Sequence, residues 1–141
     1  MKIIPFKKEH LECMDMRDHE KDFVDIEDMS VFEGCAITGI LDGRIISCGG
    51  LLLEKHGCAY VWQVPSIYVS SVQKSYCMVV KEWLDSKIEE YMIHRLESVC
   101  LNDDLHNRWM VFLGFEKEGV KKSYYNGQDF AMFGRVIQHG N

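Results

Sequence analysis

The sequence predicts an α/β fold in which a mixed, mostly antiparallel sheet is flanked by helices. Three observations predict it: three strand-like runs in succession (AITGIL, IISCGGLLL and AYVWQV), an amphipathic helical pattern directly after the third, and a strand, helix and hairpin to close the chain. The third strand leads into a helix N-terminus, where free backbone N–H groups and the positive end of the helix dipole favour an anionic group.

The N-terminal part reads as a strand followed by short helices. Lys2 to Lys7 is short and apolar enough for a first strand, and Pro5 favours an edge position because it cannot donate to a sheet. Two weak helical patterns follow, marked by Leu11 with Met14 and by Phe23 with Ile26.

Turn residues join the next strands into a meander. Asp42-Gly43 separates two apolar runs, which is a strong hairpin signal, and Lys55-His56-Gly57 separates the next two. From Val72 to Tyr91 apolar residues recur every three or four positions over five turns, so this segment is predicted to be a helix with one face on the sheet.

The C-terminal third supplies a crossover and a hairpin. Arg95 to Leu101 reads as a strand and Asp103 to Phe112 as a helix that stops at Gly114, so we expect a parallel strand pair within the sheet. Two final strands, Gly119 to Tyr125 and Asp129 to Val136, are joined by Asn126-Gly127, a pair suited to a type I′ turn.

Composition limits the class of protein. The chain has 141 residues, of which 47% are hydrophobic, so we expect one domain over residues 1–141 that folds without disulfides. The net charge of −6 argues against nucleic-acid binding, and a solvated hairpin face is the simpler interpretation of Lys117, Lys121 and Lys122.

The six cysteines are scattered singly without a CxxC pair, so we expect reduced thiols and no metal site. No segment has the pattern of a signal peptide or a membrane span. These features favour a reducing cytoplasm.

The segment from Asn102 to Phe115, NDDLHNRWMVFLGF, carries a family resemblance together with the order of the elements. An Asn after the fifth strand, a helix, Leu-Gly-Phe and then an Asn-Gly hairpin resemble the GCN5-related N-acetyltransferase (GNAT) superfamily over nearly the whole chain. Cys48-Gly49-Gly50 and Val61 to Ser66 look similar to small members encoded by bacteriophages.

The resemblance implies acetyl-CoA as cosubstrate. In the family the pantetheine arm lies where the fourth and fifth strands splay apart, and the pyrophosphate meets the next helix N-terminus. Here that loop falls within Ser70 to Tyr76 and contains no glycine; Ser70 and Ser71 either cap the helix or donate to a phosphate. The cofactor-binding residues implied are Val64, Ser66, Ser71, Val72, Gln73, Lys74, Ser75, Asn102 and Asn107.

Candidates for proton transfer are few. No acidic residue lies within Ala59 to Pro65, so Tyr60, Glu54, Glu33 or a water is the candidate base. The family's usual helix tyrosine, which protonates the departing thiolate, aligns with Met110. His106 or a displaced Tyr124 is the candidate that remains for this role.

The acceptor side is expected beside the fourth strand. Trp62 and Gln63 point to opposite faces of it, and one of them is expected to shape the substrate pocket. The sequence therefore predicts acetyl transfer from acetyl-CoA to a primary amine of a small molecule or a protein. The glycine-free loop and Met110 favour an alternative, a catalytically inactive GNAT-like binding or virion-associated protein.

Overall fold

The computed structural model describes residues 1–139, except for the side chains at positions 19, 22, 23, 72 and 73. The strands are β1 Lys2–Pro5, β2 Ala36–Leu41, β3 Arg44–Leu53, β4 Cys58–Pro65, β5 Arg95–Leu101, β6 Glu116–Tyr125 and β7 Gln128–Val136. The helices are α1 Glu9–Glu12, α2 Asp18–Phe23, α3 Gln73–Glu90 and α4 Asp104–Phe112, with 3₁₀ turns at Ile26–Phe32, Lys55–Gly57 and Val69–Val72.

Across the described residues the strands form one seven-stranded sheet in the order β1-β2-β3-β4-β5-β7-β6. β4 and β5 are parallel, with Cys58 opposite Arg95 and Tyr60 opposite Glu97, as the predicted crossover requires. The β1–β2, β2–β3, β5–β7 and β6–β7 pairs are antiparallel. The predicted fold class and the edge position of the first strand are confirmed.

Contacts divide the chain into two compact units, and the predicted single domain over residues 1–141 stays a prediction. The first unit comprises Met1–Leu52 and Val61–Ser86. Its apolar core lies between β-strands and short helices because alternate strand residues and one stripe of α3 are apolar. Core members include Phe6, Leu11, Ile46, Cys48, Leu51, Trp62 and Leu84.

The second unit comprises Leu53–Tyr60 and the chain from Lys87 onward. β5 and β7 carry its central buried residues, and α4 contributes Met110, which is 4% exposed. The other core members include Ala59, Ile93, Leu96, Leu113, Phe115 and Phe133.

The turns form as their residues predict. Asn126 and Gly127 have φ of 49° and 72°, the positive angles of a type I′ turn, and Gly114 ends α4 with φ of 91°. Several boundaries differ from expectation: β1 ends at Pro5, β6 begins at Glu116, and α3 begins at Gln73 because Val69–Val72 forms a 3₁₀ turn. No helix in the described part of the chain has the length and apolar character needed to cross a membrane.

Candidate functional site

The β4–α3 junction, in the first unit, contains the predicted pyrophosphate loop. The fully buried Ser66 accepts the Tyr68 backbone N–H through its hydroxyl at 3.1 Å, and the Ser71 hydroxyl donates to the Tyr68 carbonyl at 2.7 Å. Both hydroxyls therefore hydrogen-bond to backbone of their own loop. Lys74 and Ser75 are exposed in the first turn of α3. The side chains of Val72 and Gln73 lie outside the described residues.

A buried polar network supports this junction. The Ser47 hydroxyl lies 2.9 Å from the Tyr76 hydroxyl and 3.3 Å from the Val64 carbonyl oxygen, and the Gln63 amide donates to it at 3.5 Å. Burial raises the pKa of the Tyr76 phenol, so the phenol stays protonated at neutral pH. The network joins β3, β4 and α3 and fixes the backbone at Val64.

Trp62, on the other face of β4, lies in an aromatic cluster. Its ring centroid is 5.0 Å from that of Phe6 and 5.1 Å from that of Phe32, and the side chain is 8% exposed. The buried indole N–H has no hydrogen-bond acceptor among the described residues. A buried donor without a partner is costly unless another molecule supplies an acceptor.

The β5–α4 junction, in the second unit, holds an Asp–His pair. Asp103 caps α4 by accepting the His106 backbone N–H at 2.8 Å, and the same oxygen lies 2.7 Å from His106 Nδ1. Since a carboxylate only accepts, Nδ1 carries a proton and donates it to Asp103. The Asp103 carboxylate therefore fixes the orientation of the His106 ring, and the catalytic role of His106 stays a prediction.

Two asparagines at the same junction form a second polar cluster. Asn102 Oδ1 accepts from Lys117 Nζ at 2.7 Å and from Asn107 Nδ2 at 3.4 Å. The Oδ1 atom of Asn107 is buried and has no donor among the described residues. The predicted Asn102 and Asn107 therefore lie together and leave one buried acceptor unpaired.

Tyr60, also in the second unit, lies near Tyr124 and Cys100. Burial is the main cause that raises the pKa of the Tyr60 phenol, opposed by a hydrogen bond from the Val99 backbone. At neutral pH Tyr60 is therefore protonated and suits donation of a proton rather than the predicted role of base. Burial and the Asp103 carboxylate raise the pKa of the Cys100 thiol to about 11.

Glu54 lies beside a different group of side chains. The donor atoms of Glu54, Cys58 and Glu97 all lie within 4.8 Å of one another, in reach of one metal ion. The Arg95 guanidinium donates to Glu97 at 2.8 Å. Burial and the two carboxylates raise the pKa of the Cys58 thiol, which hydrogen-bonds to Glu54. Each of the three groups therefore takes part in a hydrogen bond or ion pair with a neighbouring side chain.

Three residues of these polar clusters, Asp103, Lys117 and Ser47, were not predicted as site residues from the sequence. Asp103 carried a signal, because Asp before a helix is a common N-cap. Lys117 and Ser47 carried none, since each gains its role from residues distant in sequence.

The seven-stranded sheet with its parallel β4–β5 pair and flanking helices has the fold of the GNAT acetyltransferases. No family model and no curated protein matches the sequence. Solved structures do match, and at the identities below the likeness is one of fold.

A GNAT-family acetyltransferase from Bacillus anthracis has a TM-score of 0.68 at 15% identity, covering 95% of this chain and 93% of its own. The ribosomal-protein-S18-alanine N-acetyltransferase from Escherichia coli has a TM-score of 0.71 at 11% identity, covering 99% and 96%. A Bacillus subtilis acetyltransferase in complex with CoA has a TM-score of 0.66 at 14% identity, covering 97% and 99%.

Proposed function

We propose that this protein is a cytoplasmic N-acetyltransferase that moves an acetyl group from acetyl-CoA to a primary amine of a small molecule or a protein. The fold supports an acetyltransferase, and two proteins that share it are an alanine N-acetyltransferase and an acetyltransferase in complex with CoA. The observation that carries the proposal is the unpaired, buried Oδ1 of Asn107.

An unpaired acceptor at this position fits the cosubstrate. A buried carbonyl oxygen without a donor costs about 1–3 kcal/mol, which an incoming N–H group recovers. The pantetheine arm of CoA carries two secondary amides, and each offers one N–H donor. Asn107 and its neighbour Asn102 are the residues that we assign to this arm.

Bound acetyl-CoA supplies a thioester whose acetyl group an uncharged amine accepts. We assign His106 Nε2 to take up the amine proton, because Asp103 fixes the proton on Nδ1 and stabilises the imidazolium that results. We assign Tyr60 to hold the proton that neutralises the departing thiolate, because its raised pKa keeps the phenol protonated.

Trp62 is our candidate for acceptor recognition in the first unit. Its buried N–H lacks an acceptor, and the Phe6 and Phe32 rings beside it provide apolar contact. An acceptor with a carbonyl group close to its amine, such as the N-terminal residue of a peptide, matches this donor. Trp62→Phe is therefore expected to raise KM for a peptide more than for a simple polyamine.

Calorimetric titration with acetyl-CoA tests the cosubstrate. Wild-type protein is expected to bind, and Asn107→Leu to bind about tenfold more weakly because one hydrogen bond to a buried group is lost. The thermal stability of Asn107→Leu should match or exceed that of the wild type, since an unpaired polar atom is removed. Gln138→Leu, which changes an exposed amide in the same unit, serves as the control.

The two outcomes that contradict the proposal are distinct. Absence of binding at millimolar acetyl-CoA would exclude it as cosubstrate. Binding without release of free CoA thiol in the presence of an N-terminal alanine peptide, a polyamine or an aminoglycoside would favour the non-catalytic, binding or virion-associated alternative.

A further inference from the structure

Lys117 is the second residue of β6, and its exposed side chain reaches the amide of Asn102. We propose that Lys117 fixes the orientation of two side-chain amides, so that Asn107 presents a hydrogen-bond acceptor and the β5–α4 junction selects a ligand with an N–H donor. The orientation is a property of the chain itself. The identity of the ligand, the pantetheine arm of CoA, rests on the proposed function.

The first step is the contact between Lys117 and Asn102. An ammonium group donates hydrogen bonds and never accepts them, so the atom of Asn102 that lies 2.7 Å from Lys117 Nζ must be the amide oxygen. The contact involves a charged donor and is therefore stronger than a neutral one. The backbone of Asn102 is held by its N–H, which donates to the Asp129 carbonyl at 3.0 Å.

The second step is the effect of Asn102 on the orientation of the Asn107 amide. Its nearest amide atom lies 3.4 Å from the same Asn102 oxygen, and only a nitrogen forms a hydrogen bond there. The Asn107 oxygen must then lie on the other side of the amide, where it is buried without a donor. The Asn107 backbone is fixed in the first turn of α4 by donation to the Asp103 carbonyl at 3.0 Å.

Without Lys117, neither orientation of the two side-chain amides is favoured over the other. An amide presents nearly the same shape when its oxygen and nitrogen exchange places, and a neutral Asn–Asn pair forms one hydrogen bond in either arrangement. The reversed arrangement would offer a ligand the NH₂ of Asn107, which repels an incoming N–H. Lys117 is thus a positioning residue that acts through Asn102.

The charge of Lys117 also acts on a neighbouring thiol at this junction. Lys117 opposes burial and Asp103 by lowering the pKa of the Cys100 thiol, so its charge acts at the end of β5 as well as at Asn102. Lys121 and Lys122 lie on the same strand, and Lys121 instead lies 4.7 Å from the centre of the Tyr124 ring. Lys122 therefore serves as a matched control on β6.

Binding of three probes separates positioning from direct contact: CoA, pantetheine, which lacks phosphates, and 3′,5′-ADP, which lacks the pantetheine arm. Lys117→Met is expected to weaken CoA and pantetheine alike, about five- to tenfold, and to leave 3′,5′-ADP unchanged. Lys117→Arg, which keeps a charged donor, should restore most of the affinity. Lys122→Met should bind all three as the wild type does.

A double substitution tests the path through Asn107. In the Asn107→Leu background, Lys117→Met should change pantetheine affinity less than twofold, because the acceptor that Lys117 orients is gone. If Lys117→Met still weakens pantetheine binding about five- to tenfold in that background, the proposal is wrong. Weakened 3′,5′-ADP binding with unchanged pantetheine binding would also overturn it, since Lys117 would then contact phosphate directly.

One measurement needs no ligand and separates this inference from the proposed function. The side-chain NH₂ resonances of Asn102 and Asn107 in a ¹⁵N–¹H spectrum should move in Lys117→Met and not in Lys122→Met. Movement together with no CoA binding by the wild type would support the orientation and exclude the cosubstrate. Unmoved resonances would overturn the orientation even if CoA binds.

Discussion

The two strand-to-helix junctions of this chain use polar side chains in opposite ways. At the β4–α3 junction the hydroxyls of Ser66 and Ser71 bind backbone of their own loop. At the β5–α4 junction Asn107 leaves a buried acceptor without a donor among the described residues. Hydroxyls that bind their own loop maintain structure, whereas a buried acceptor without a donor has capacity for a ligand.

The difference follows from side-chain length and from neighbouring charge. A serine hydroxyl is close enough to its own backbone to bond within three residues, and it commonly does so. An asparagine amide reaches further and has two unlike ends, so a cation such as Lys117 can decide which end is presented.

The largest change in the free energy of unfolding is expected at Tyr76, which belongs to the buried network behind the β4–α3 junction. Tyr76→Ala should lower the free energy of unfolding by about 3–5 kcal/mol, because it opens a cavity under β3 and α3. Tyr76→Phe should cost only about 1 kcal/mol, since it removes one hydrogen bond to Ser47. Urea denaturation measures both. If Tyr76→Phe costs as much as Tyr76→Ala, the network rather than packing dominates.

Alkaline pH should destabilise the folded protein through one cysteine thiol in each unit, Cys48 and Cys100. Burial raises the pKa of Cys48 from 9.0 to about 11, so the folded state holds its proton more tightly than the unfolded state. This adds up to about 2 kcal/mol to the free energy of unfolding below pH 9, and the contribution is lost as the pH rises to about 11.

Denaturation at pH 8, 9, 10 and 11 checks this slope. Cys48→Ala should flatten it most. Cys100→Ala should flatten it less, because Cys100 is more exposed although its pKa is also raised to about 11. An unchanged slope in Cys48→Ala would assign the alkaline loss to other groups.

Asp103→Asn should separate stability from catalysis at the β5–α4 junction. Asn is as good an N-cap as Asp, so the free energy of unfolding should change by less than about 0.5 kcal/mol. The carboxylate that fixes His106 Nδ1 is lost, so kcat should fall about tenfold, a part of the roughly 10²–10⁴-fold that a positioned general base contributes. Equal activity in Asp103→Asn would exclude His106 as the base that Asp103 orients.

The fold was predictable because its signals are local. Asp42-Gly43 and Asn126-Gly127 select turns by their own backbone angles, and the period of α3 is visible over five turns. The start of α3 was predicted one residue early, at Val72, because the 3₁₀ turn Val69–Val72 leads directly into the helix.

The site was predictable only where one residue type carries the chemistry. Asn102 came from the family resemblance, His106 and Asn107 from their place one turn before Met110, and the structure brings all three to one junction, where their roles stay predictions. Our assignment of Tyr60 as proton donor rather than base rests on the burial that raises the pKa of its phenol, and that burial depends on residues far along the chain. Lys117 reaches Asn102 across fifteen positions, a contact that sequence spacing does not reveal.

The smallest effect is expected for Ser71→Ala at the β4–α3 junction. The Ser71 hydroxyl donates to the Tyr68 carbonyl in an exposed turn, so its loss should cost about 0.5 kcal/mol or less. Acetyl-CoA affinity should stay within twofold, because the hydroxyl is already engaged. Lys74→Met serves as the companion variant: if the pyrophosphate of acetyl-CoA lies at this helix end, loss of the screened surface charge should lower affinity a few-fold. A tenfold loss in Ser71→Ala would show that the hydroxyl turns from Tyr68 to a phosphate, and the contrast between the junctions would then fail.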